Sequence, residues 1–462
     1  MSGSSTGGAG QTRHNTVFAS FQGPVHSAIR TAGPQALARA LQATRARTLG
    51  LIQAWHNALP DLSVPPLPQM NPPLWEWGHV AWFQEWWTVR NRQRHLGTRS
   101  PDRGPSFNPS CLPDADALYN SSEVAHDSRW ALALPKLAAT QDYLAQVLQR
   151  SLANLAQVSA QVSAQGSTHG LAQGLAQGSV QALAEVPEGP SSVSDEALYF
   201  WRLVLQHEDM HNEASVYMAQ ALGLAVPLVW RGRAGAQDAA SAGATGRSTS
   251  DRVLSEQAST EPAIPAEIHL PAQLWTLGHS GEGFAFDNEL PAHALTLGAF
   301  AIDAAAVTWA RYLPFVQATG HALPPHVRWA QGMWQAQCFG QWQTLDLQAP
   351  AVHLNAHYAQ AWCQWAGRRL PSEAEWACAA HQPDFVWGQV WEWTASDFAP
   401  YPGIPGFEAH PYRDYSAPWW HGHRVLRGAC AATSAHVADV RYRNFFVPER
   451  RDIFAGFRSV AL

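Results

Sequence analysis

Charge is scarce in this sequence, and lysine is almost missing. Charged residues make up 14% of the 462 residues, the formal net charge at pH 7 is −6, and Lys136 is the only lysine. Proteins that bind nucleic acids present a basic surface to the phosphates, so a nucleic-acid partner is not expected. No run of eighteen apolar residues occurs, so no membrane-spanning helix is expected either.

Cysteine is equally sparse. The five cysteines, none of them in a C-x-x-C pair, are Cys111, Cys338, Cys363, Cys378 and Cys430. An odd and scattered set argues against a disulfide framework and favours a reducing compartment. Residues 1–16 are polar and rich in glycine and serine, and they lack the apolar core of a signal peptide. We therefore expect a soluble cytoplasmic protein in which residues 1–25 form a disordered tail.

Apolar residues recur at helical spacing in four stretches of the first half. The predicted helices cover residues from about 33 to 59, 74 to 93, 127 to 153 and 194 to 222. Four amphipathic helices are typical of an antiparallel bundle, which we assign to residues 26–225. An Ala/Gln/Ser/Gly repeat over residues 155–192 interrupts this region and predicts a mobile low-complexity insertion.

The second half of the chain differs in composition. Residues 226–264 are rich in glycine, alanine, serine and threonine without periodicity, which predicts a linker. Residues 265–462 combine short apolar runs with frequent glycine, proline and aromatic residues. Helical patterns occur there only near residues 358–366 and 373–380. This pattern predicts an irregular α+β domain with long loops.

Three histidines occupy positions that the helical pattern assigns to the core. His207 and His211 are four residues apart in the fourth helix, so both imidazoles lie on one face. His79 lies in the aromatic stripe of the second helix, between Trp75 and Trp82. A buried imidazole needs a polar partner, and one metal ion could serve all three. Neutral imidazoles suit iron, copper or zinc, and three of them leave coordination positions open.

The same segment allows a different function. His207, Glu208 and His211 match the H-E-x-x-H pattern of zinc peptidases, in which the glutamate is the general base. A five-residue match is weak evidence, and no further ligand motif follows on the same or the next helix. Glu213 is six residues from His207 and is expected to project away from the pair, in a supporting role. A zinc hydrolase therefore stays open as an alternative.

Ordered motifs in both halves resemble one enzyme family. Residues 74–85, LWEWGHVAWFQE, and the pattern His207-x3-His211-x-Glu213 resemble the ligand motifs of the nonheme-iron sulfoxide synthases of ergothioneine and ovothiol biosynthesis. The segments LYNSS and AHD, at residues 118–122 and 125–127, are similar to the family's next segment. The C-terminal part is similar to formylglycine-generating-enzyme-like domains, on residues 367–376, 390–394, 425–428, 442–445 and 450–458.

This resemblance implies a multidomain α and α+β fold. A DinB-like four-helix bundle would be followed by a C-type-lectin-like domain of the formylglycine-generating-enzyme, or sulfatase-modifying, type. It also implies Fe(II) held by His79, His207 and His211. The substrates would be dioxygen, hercynine and a chalcogen donor, and the reaction would join sulfur or selenium to C2 of the imidazole ring. A non-enzymatic lectin-like protein, with the bundle as its support, is a further alternative.

The resemblance also implies roles for residues around the metal. Aromatic faces suit the quaternary ammonium of hercynine. The expected substrate walls are Trp391, Trp393, Asn444 and Phe445. The family uses a tyrosine near iron as proton donor, and Tyr401 and Tyr412 are the candidates here. Arg443 and Arg450 are expected either to face the donor or to form ion pairs.

Two departures from the family pattern concern the substrates. Met210 stands where ergothioneine synthases that use γ-glutamylcysteine often have a glutamine, and Phe446 stands where they have an aspartate. An apolar ring does not bind an amino group as a carboxylate does, so γ-glutamylcysteine is a poor candidate donor. The pattern is most similar to the selenoneine synthase branch, which predicts a selenosugar donor, with cysteine or another thiol as the alternative. Cys430 is expected to be a buried, inert thiol.

Overall fold

The computed structural model describes residues 26–102, 107–177, 193–226, 266–403 and 416–462, and within these ranges the side chains of 161–177 and of Pro418 are not described. The predicted tail, residues 178–192 of the predicted insertion and nearly all of the predicted linker lie outside the described residues. The predictions made for them stay predictions.

Helices make up the described part of the first half. The α-helices are α1 Pro34–Ala58, α2 Pro73–Gln84, α3 Ala115–Tyr119, α4 Leu137–Gln177 and α5 Asp195–Ala221. Each of α1 and α2 packs against both α4 and α5, which gives the four-helix arrangement. A π-helical stretch, Glu85–Arg90, extends α2, and 3-10 turns occur at Ala28–Arg30, Arg94–Arg99 and His126–Ala131.

Proline decides where two of these helices begin. Pro73 is the first residue of α2, a position where its missing N–H costs no hydrogen bond. Pro135 delays α4, because proline disfavours helical geometry in the residue before it. The helix predicted from Asp127 is therefore split into the 3-10 turn and α4. Helix α4 also continues to Gln177, so residues 155–177 of the predicted insertion are helical.

The second half contains thirteen described strands and three described helices. The strands are β1 Glu267–Leu270, β2 Gln273–Leu277, β3 His293–Leu297, β4 Phe300–Asp303, β5 Val327–Ala330, β6 Met333–Cys338, β7 Gln341–Thr344, β8 Arg368–Arg369, β9 Trp391–Asp397, β10 Arg424–Gly428, β11 Asn444–Phe446, β12 Ala455–Gly456 and β13 Val460–Ala461. They form two four-stranded sheets, β1-β4-β13-β8 and β11-β10-β9-β12, with the hairpin β2-β3 and the meander β5-β6-β7. Pairing is antiparallel except between β9 and β12.

Three helices lie among these strands, and one was not predicted. Helices α7 Ala356–Trp365 and α8 Glu373–Ala379 lie where the pattern placed them. Helix α6, Trp309–Thr319, was missed because it contains Pro314, which removes one backbone hydrogen bond from a helix interior. Burial of five large side chains compensates for that loss, and these are Trp309, Tyr312, Leu313, Phe315 and Val316.

Helix α5 joins the two halves through buried polar contacts. Trp391 Nε1 donates to Glu213 Oε1 over 2.6 Å, and Thr433 Oγ1 donates to Glu213 Oε2 over 2.7 Å. His436 Nδ1 lies 2.7 Å from Asp209 Oδ2, in an ion pair when the ring is protonated. The helix that carries two of the candidate ligands therefore also forms the domain interface. None of the described helices is long and apolar enough to cross a membrane.

Candidate metal centre

The three histidines singled out in the sequence converge inside the bundle. One nitrogen each from His79, His207 and His211 lies within 4.8 Å of the other two. The His79 ring centroid is 5.0 Å from that of each partner, and the partners are 4.4 Å apart. His79 and His207 are buried and His211 is half-buried. In the part of the chain that the structure describes, no other group of His, Cys, Asp or Glu clusters in this way.

Hydrogen bonds orient two of the imidazoles toward a common point. His79 Nδ1 donates to the carbonyl oxygen of Tyr119 over 2.8 Å, and His211 Nδ1 donates to Glu76 Oε1 over 2.6 Å. Each of these rings therefore keeps the lone pair on Nε2. The Nε2 atoms of His207 and His211 are 3.1 Å apart. This donor set fits a divalent transition-metal ion, because a shared cation satisfies converging nitrogen lone pairs.

Electrostatics keeps the buried rings neutral. Burial lowers the pKa of His79 to about 3 and lowers the pKa of His207 well below its ordinary value. Burial alone would raise the pKa of Glu76, but the neighbouring His211 outweighs it, and the pKa of that carboxyl falls below its usual range. A metal ion could therefore bind the two buried rings without displacing a proton at neutral pH.

Aromatic residues of α2 hold two of the rings in place. Trp75 stacks on His79 with centroids 4.9 Å apart and planes 6° from parallel. Phe83 stacks on His207 at 3.7 Å and 10°. Residues 75, 79 and 83 are spaced by four and lie on one helical face. The aromatic stripe that indicated a buried His79 therefore also positions the imidazole of the facing helix.

Glu76, which accepts the hydrogen bond from His211, was not predicted from the sequence. It lies one turn before His79 on α2, is buried, and also accepts a hydrogen bond from Asn71 over 2.7 Å. The signal was present, because residues three apart on a helix share a face. The motif that contains His207 and His211 also contains Glu213, a second carboxylate near the histidines in sequence. Glu213 instead binds Trp391 and Thr433, and burial raises its pKa.

Glu208 is bound away from the histidines. Its two oxygens accept from Arg45 Nε and Nη2 over 2.7 and 3.0 Å, and Thr48 Oγ1 donates to it over 2.6 Å. All three side chains are buried, and both partners lie on α1. A general base must have a free lone pair beside the water it deprotonates. This arrangement counts against the hydrolase alternative.

Of the expected tryptophan walls, only Trp391 borders the bundle. Its indole N–H binds Glu213, and its ring lies 5.7 Å from that of Tyr442. Trp393 is completely buried, and its N–H donates to the carbonyl oxygen of Leu354 over 2.7 Å. Trp393 therefore packs in the core of the C-terminal domain, whereas Trp391 contacts α5.

The expected residues of strand β11 separate into two groups. Asn444 Oδ1 accepts from the backbone N–H of Phe445, whose ring stacks on Phe398 with centroids 4.1 Å apart. Phe446 instead lies under the guanidinium of Arg450, 4.8 Å from its ring centroid. Arg450 pairs bidentately with Asp452, at 2.6 and 2.9 Å, and faces the bundle. Its bundle contacts are the carbonyl of Gln69, at 3.2 Å, and the ring of Tyr217, at 5.4 Å.

Tyr401 and Arg443 lie in a buried ionic cluster of the C-terminal domain. Glu373 accepts from Arg443 Nε over 3.0 Å and from Arg427 Nη2 over 2.7 Å. The Tyr401 hydroxyl donates to Glu373 and accepts from Arg427 Nη2 over 2.8 Å. Burial raises the pKa of Tyr401 to about 12. Its proton is thus held within the core cluster, and Tyr412, the other candidate, lies outside the described residues.

A hydroxyl that was not predicted borders the histidine face. Tyr442 donates to Met210 Sδ over 2.9 Å, and Met210 immediately precedes His211. Tyr442 is buried and belongs to the C-terminal domain. Cys430 is also buried, and burial raises the pKa of its thiol well above the ordinary value. Such a thiol is unreactive at neutral pH.

Known proteins resemble the chain over both halves. Residues 252–387 match the family described as Sulfatase-modifying factor enzyme 1-like domain. A hercynine oxygenase of Mycobacterium tuberculosis is 26% identical over 504 residues, covering 92% of this chain and 98% of that protein. The hercynine oxygenase of Mycolicibacterium smegmatis is 27% identical over 498 residues, with the same coverage.

A shorter similarity covers a quarter of the chain. The formylglycine-generating enzyme of Streptomyces coelicolor is 32% identical over 145 residues, covering 25% of this chain and 46% of that protein. These matches confirm the predicted fold class, a helical N-terminal bundle followed by a domain of the formylglycine-generating, C-type-lectin-like type. The chain is thus similar to hercynine oxygenases across nearly its whole length, with the three histidines gathered in its bundle.

Proposed function

We propose that this protein is a nonheme Fe(II), O2-dependent enzyme that joins a chalcogen to C2 of the hercynine imidazole. One observation carries the proposal. His79, His207 and His211 converge in a chain whose full-length relatives are named hercynine oxygenases. These three residues would hold the iron.

A ferrous ion bound there would supply the activation of dioxygen and a binding position for the chalcogen donor. The contribution of the chain is orientation. Hydrogen bonds to the Tyr119 carbonyl and to Glu76 fix which nitrogen of His79 and of His211 faces inward. Stacking by Trp75 and Phe83 restricts rotation of the rings of His79 and His207. Holding the reactants in a fixed geometry accounts for a large part of catalysis in bond-forming enzymes. The fixed orientation of these imidazoles therefore supports a catalytic role for the histidine cluster.

Hercynine would bind where the two domains meet. Trp391 and Tyr442 approach α5 from the C-terminal domain, and Met210 lies beside the histidine face. An aromatic face suits a trimethylammonium group. Tyr442 is a candidate hydroxyl at this interface, and it joins Tyr401 and Tyr412 as a tyrosine to be tested as proton donor.

For the donor we propose a selenosugar, with cysteine or another thiol as the alternative. Phe446 presents an aromatic ring where a carboxylate would receive the amino group of γ-glutamylcysteine. Arg450, whose guanidinium lies over the Phe446 ring, binds both oxygens of Asp452. A donor with an amino-acid ammonium would therefore meet an aromatic ring and an arginine at this position. A donor that lacks that group fits better.

The test is turnover with each donor in turn. The protein is loaded with Fe(II) without oxygen, and hercynine and one donor are then added under air. We expect about one iron per chain and oxygen consumption that depends on hercynine. We also expect the amount of coupled product, measured by mass spectrometry, to be greater with the selenosugar than with thiols. Equal or greater turnover with γ-glutamylcysteine would overturn the donor assignment. Bound zinc with no oxygen demand would point to the hydrolase instead.

A matched pair of histidine variants separates function from stability. His207→Ala should abolish iron binding and turnover. His357→Ala should leave both unchanged, because His357 is exposed and contacts Glu449 on the surface. If His207→Ala lowers stability but never affects turnover, the non-enzymatic alternative is favoured.

A further inference from the structure

Arg129 is a buried arginine near the metal centre. It lies in the 3-10 turn His126–Ala131, and the residue is 9% exposed. Its Nη1 donates to Asn71 Oδ1 over 2.7 Å, and its Nη2 donates to the carbonyl oxygen of Val124 over 3.2 Å. None of the described carboxylates pairs with it directly, although burying an unpaired guanidinium is costly. Its burial therefore needs a compensating interaction nearby.

A chain of hydrogen bonds connects Arg129 to His211. The carbonyl oxygen of the Asn71 side chain accepts from Arg129, and its Nδ2 donates to Glu76 Oε2 over 2.7 Å. Glu76 Oε1 in turn accepts from His211 Nδ1 over 2.6 Å. A guanidinium can only donate, so the arginine decides which way the Asn71 amide faces. The amide fixed in this direction holds the carboxylate that orients the histidine.

A stack of flat groups connects Arg129 to His79. The guanidinium carbon of Arg129 lies 3.7 Å from the centroid of the Trp75 ring. Trp75 stacks on His79 at 4.9 Å, and its Nε1 donates to the carbonyl oxygen of Leu118 over 2.7 Å. A cation over an indole face is attracted to the ring. The arginine therefore restricts movement of the indole against the imidazole.

Electrostatics couples Arg129 to the carboxylate of the hydrogen-bonded chain. Burial lowers the pKa of Arg129, and the negative charge of Glu76 opposes that shift. Asn71 lies between the two groups, so they interact across an amide instead of in a direct ion pair. A bidentate ion pair would turn both carboxylate oxygens toward the arginine. The intervening amide leaves one oxygen of Glu76 to His211.

We infer that Arg129 is a positioning residue of the metal centre, with one connection to His211 and one to His79. The inference rests on the proposed function, because it assumes that the three histidines bind a metal ion. Without the arginine, the carboxylate of Glu76 and the indole of Trp75 would be free to shift. The affinity for the metal should then fall although every ligand is still present.

Metal titration of Arg129→Met tests the inference. Methionine fills much of the space but neither donates a hydrogen bond nor carries a charge. Groups that orient a ligating histidine are typically worth about 10–100-fold in metal affinity, and Arg129 acts one residue further out, so anaerobic Fe(II) binding should weaken about 3–10-fold. The absorption bands of bound Co(II), which report coordination geometry, should shift as well. Unchanged Fe(II) affinity, or a Co(II) spectrum identical to that of the native protein, would overturn the inference.

Trp130→Phe is the matched control. Trp130 belongs to the same 3-10 turn, and its Nε1 donates over 3.0 Å to the carbonyl oxygen of Val64, in the loop before α2. This substitution removes a contact between the turn and that loop that does not lead to a histidine. Both variants should be less stable in urea unfolding, but only Arg129→Met should bind Fe(II) more weakly. If Trp130→Phe weakens Fe(II) binding equally, the arginine merely stabilises the turn and the inference is wrong.

Asn71→Ala tests the hydrogen-bonded connection by itself. Asn71 is half-buried in the loop before α2, so its truncation leaves the stack on Trp75 in place. It should weaken Fe(II) binding, and adding it to Glu76→Gln should cause little further loss, because both changes remove the same orientation of His211. Losses that multiply would refute this connection. The same comparison carries the test if Arg129→Met does not fold.

The proposed function and this inference fail on different results. If the native protein binds neither Fe(II) nor Co(II), the metal centre is refuted, and both fail together. If the native protein binds Fe(II) and consumes oxygen with hercynine, while Arg129→Met binds Fe(II) as tightly, only the role of Arg129 is refuted.

Discussion

Replacing Glu76 with glutamine should weaken metal binding without dismantling the site. Glu76 Oε1 accepts the Nδ1 proton of His211 over 2.6 Å, and its other oxygen is held by Asn71. Glutamine keeps the size of the side chain but loses the charge that makes the imidazole a better ligand. Carboxylates that orient a ligating histidine are typically worth 10–100-fold in metal affinity. A loss of that size corresponds to roughly 1.4–2.8 kcal/mol.

The assay is an anaerobic Fe(II) titration of the native protein and of two variants. Glu85→Gln is the matched control, because Glu85 is a buried carboxylate of the adjoining π-helical stretch that binds Tyr143 and Ser110 instead of a histidine. It should lose stability but keep its iron affinity. If Glu76→Gln binds iron as tightly as the native protein, or Glu85→Gln weakens binding equally, the assigned role of Glu76 is wrong.

Three other substitutions test the physical account of the fold. Glu373→Leu should destabilise the protein by about 3–5 kcal/mol in urea unfolding, because it leaves the two core arginines unpaired. Burial raises the pKa of Asp287 to about 7, so the folded state binds its proton more tightly than the unfolded state, and stability falls as pH rises from about 4 to 7. Asp287→Asn should therefore gain roughly 2–3 kcal/mol relative to the native protein between pH 5 and pH 8. Gly78→Ala would place a methyl group 2.2 Å from the Tyr119 ring, and it should cost about 1–3 kcal/mol and weaken iron binding, because the Tyr119 carbonyl orients His79.

The cluster of three histidines could be predicted because helical spacing is a local property. His207 and His211 share a face whatever surrounds them, and His79 lies in a stripe that only a core could cover. The pairing of α2 with α5 across the bundle then follows from the burial of both stripes. Nothing in the spacing shows that Phe83 of one helix stacks on His207 of the other, since that contact depends on how the helices pack.

The residues assigned to substrate binding were harder to place. Trp393 and Arg443 carry the same motif signals as Trp391 and Arg450, yet the first two are core residues and the latter two face the bundle. Trp391 and Trp393 lie on the same face of β9, so the alternation of side chains cannot show which of them meets another domain. Arg443 forms an ion pair with Glu373, which is the first residue of helix α8. Such long-range pairs are not encoded in any short window of sequence.

The buried polar contacts between α5 and the C-terminal domain limit how the two halves of this protein can be separated or exchanged. Asp209 and Glu213 are buried acids whose partners include His436, Trp391 and Thr433 of the other domain. A fragment ending after the bundle would expose these acids and the apolar surface around them, and would lose solubility or order. Chimeras that combine halves of two relatives should not fold stably unless the residues that contact Asp209 and Glu213 are exchanged as well. Each half is therefore expected to fold and function only with a partner half that matches it at this interface.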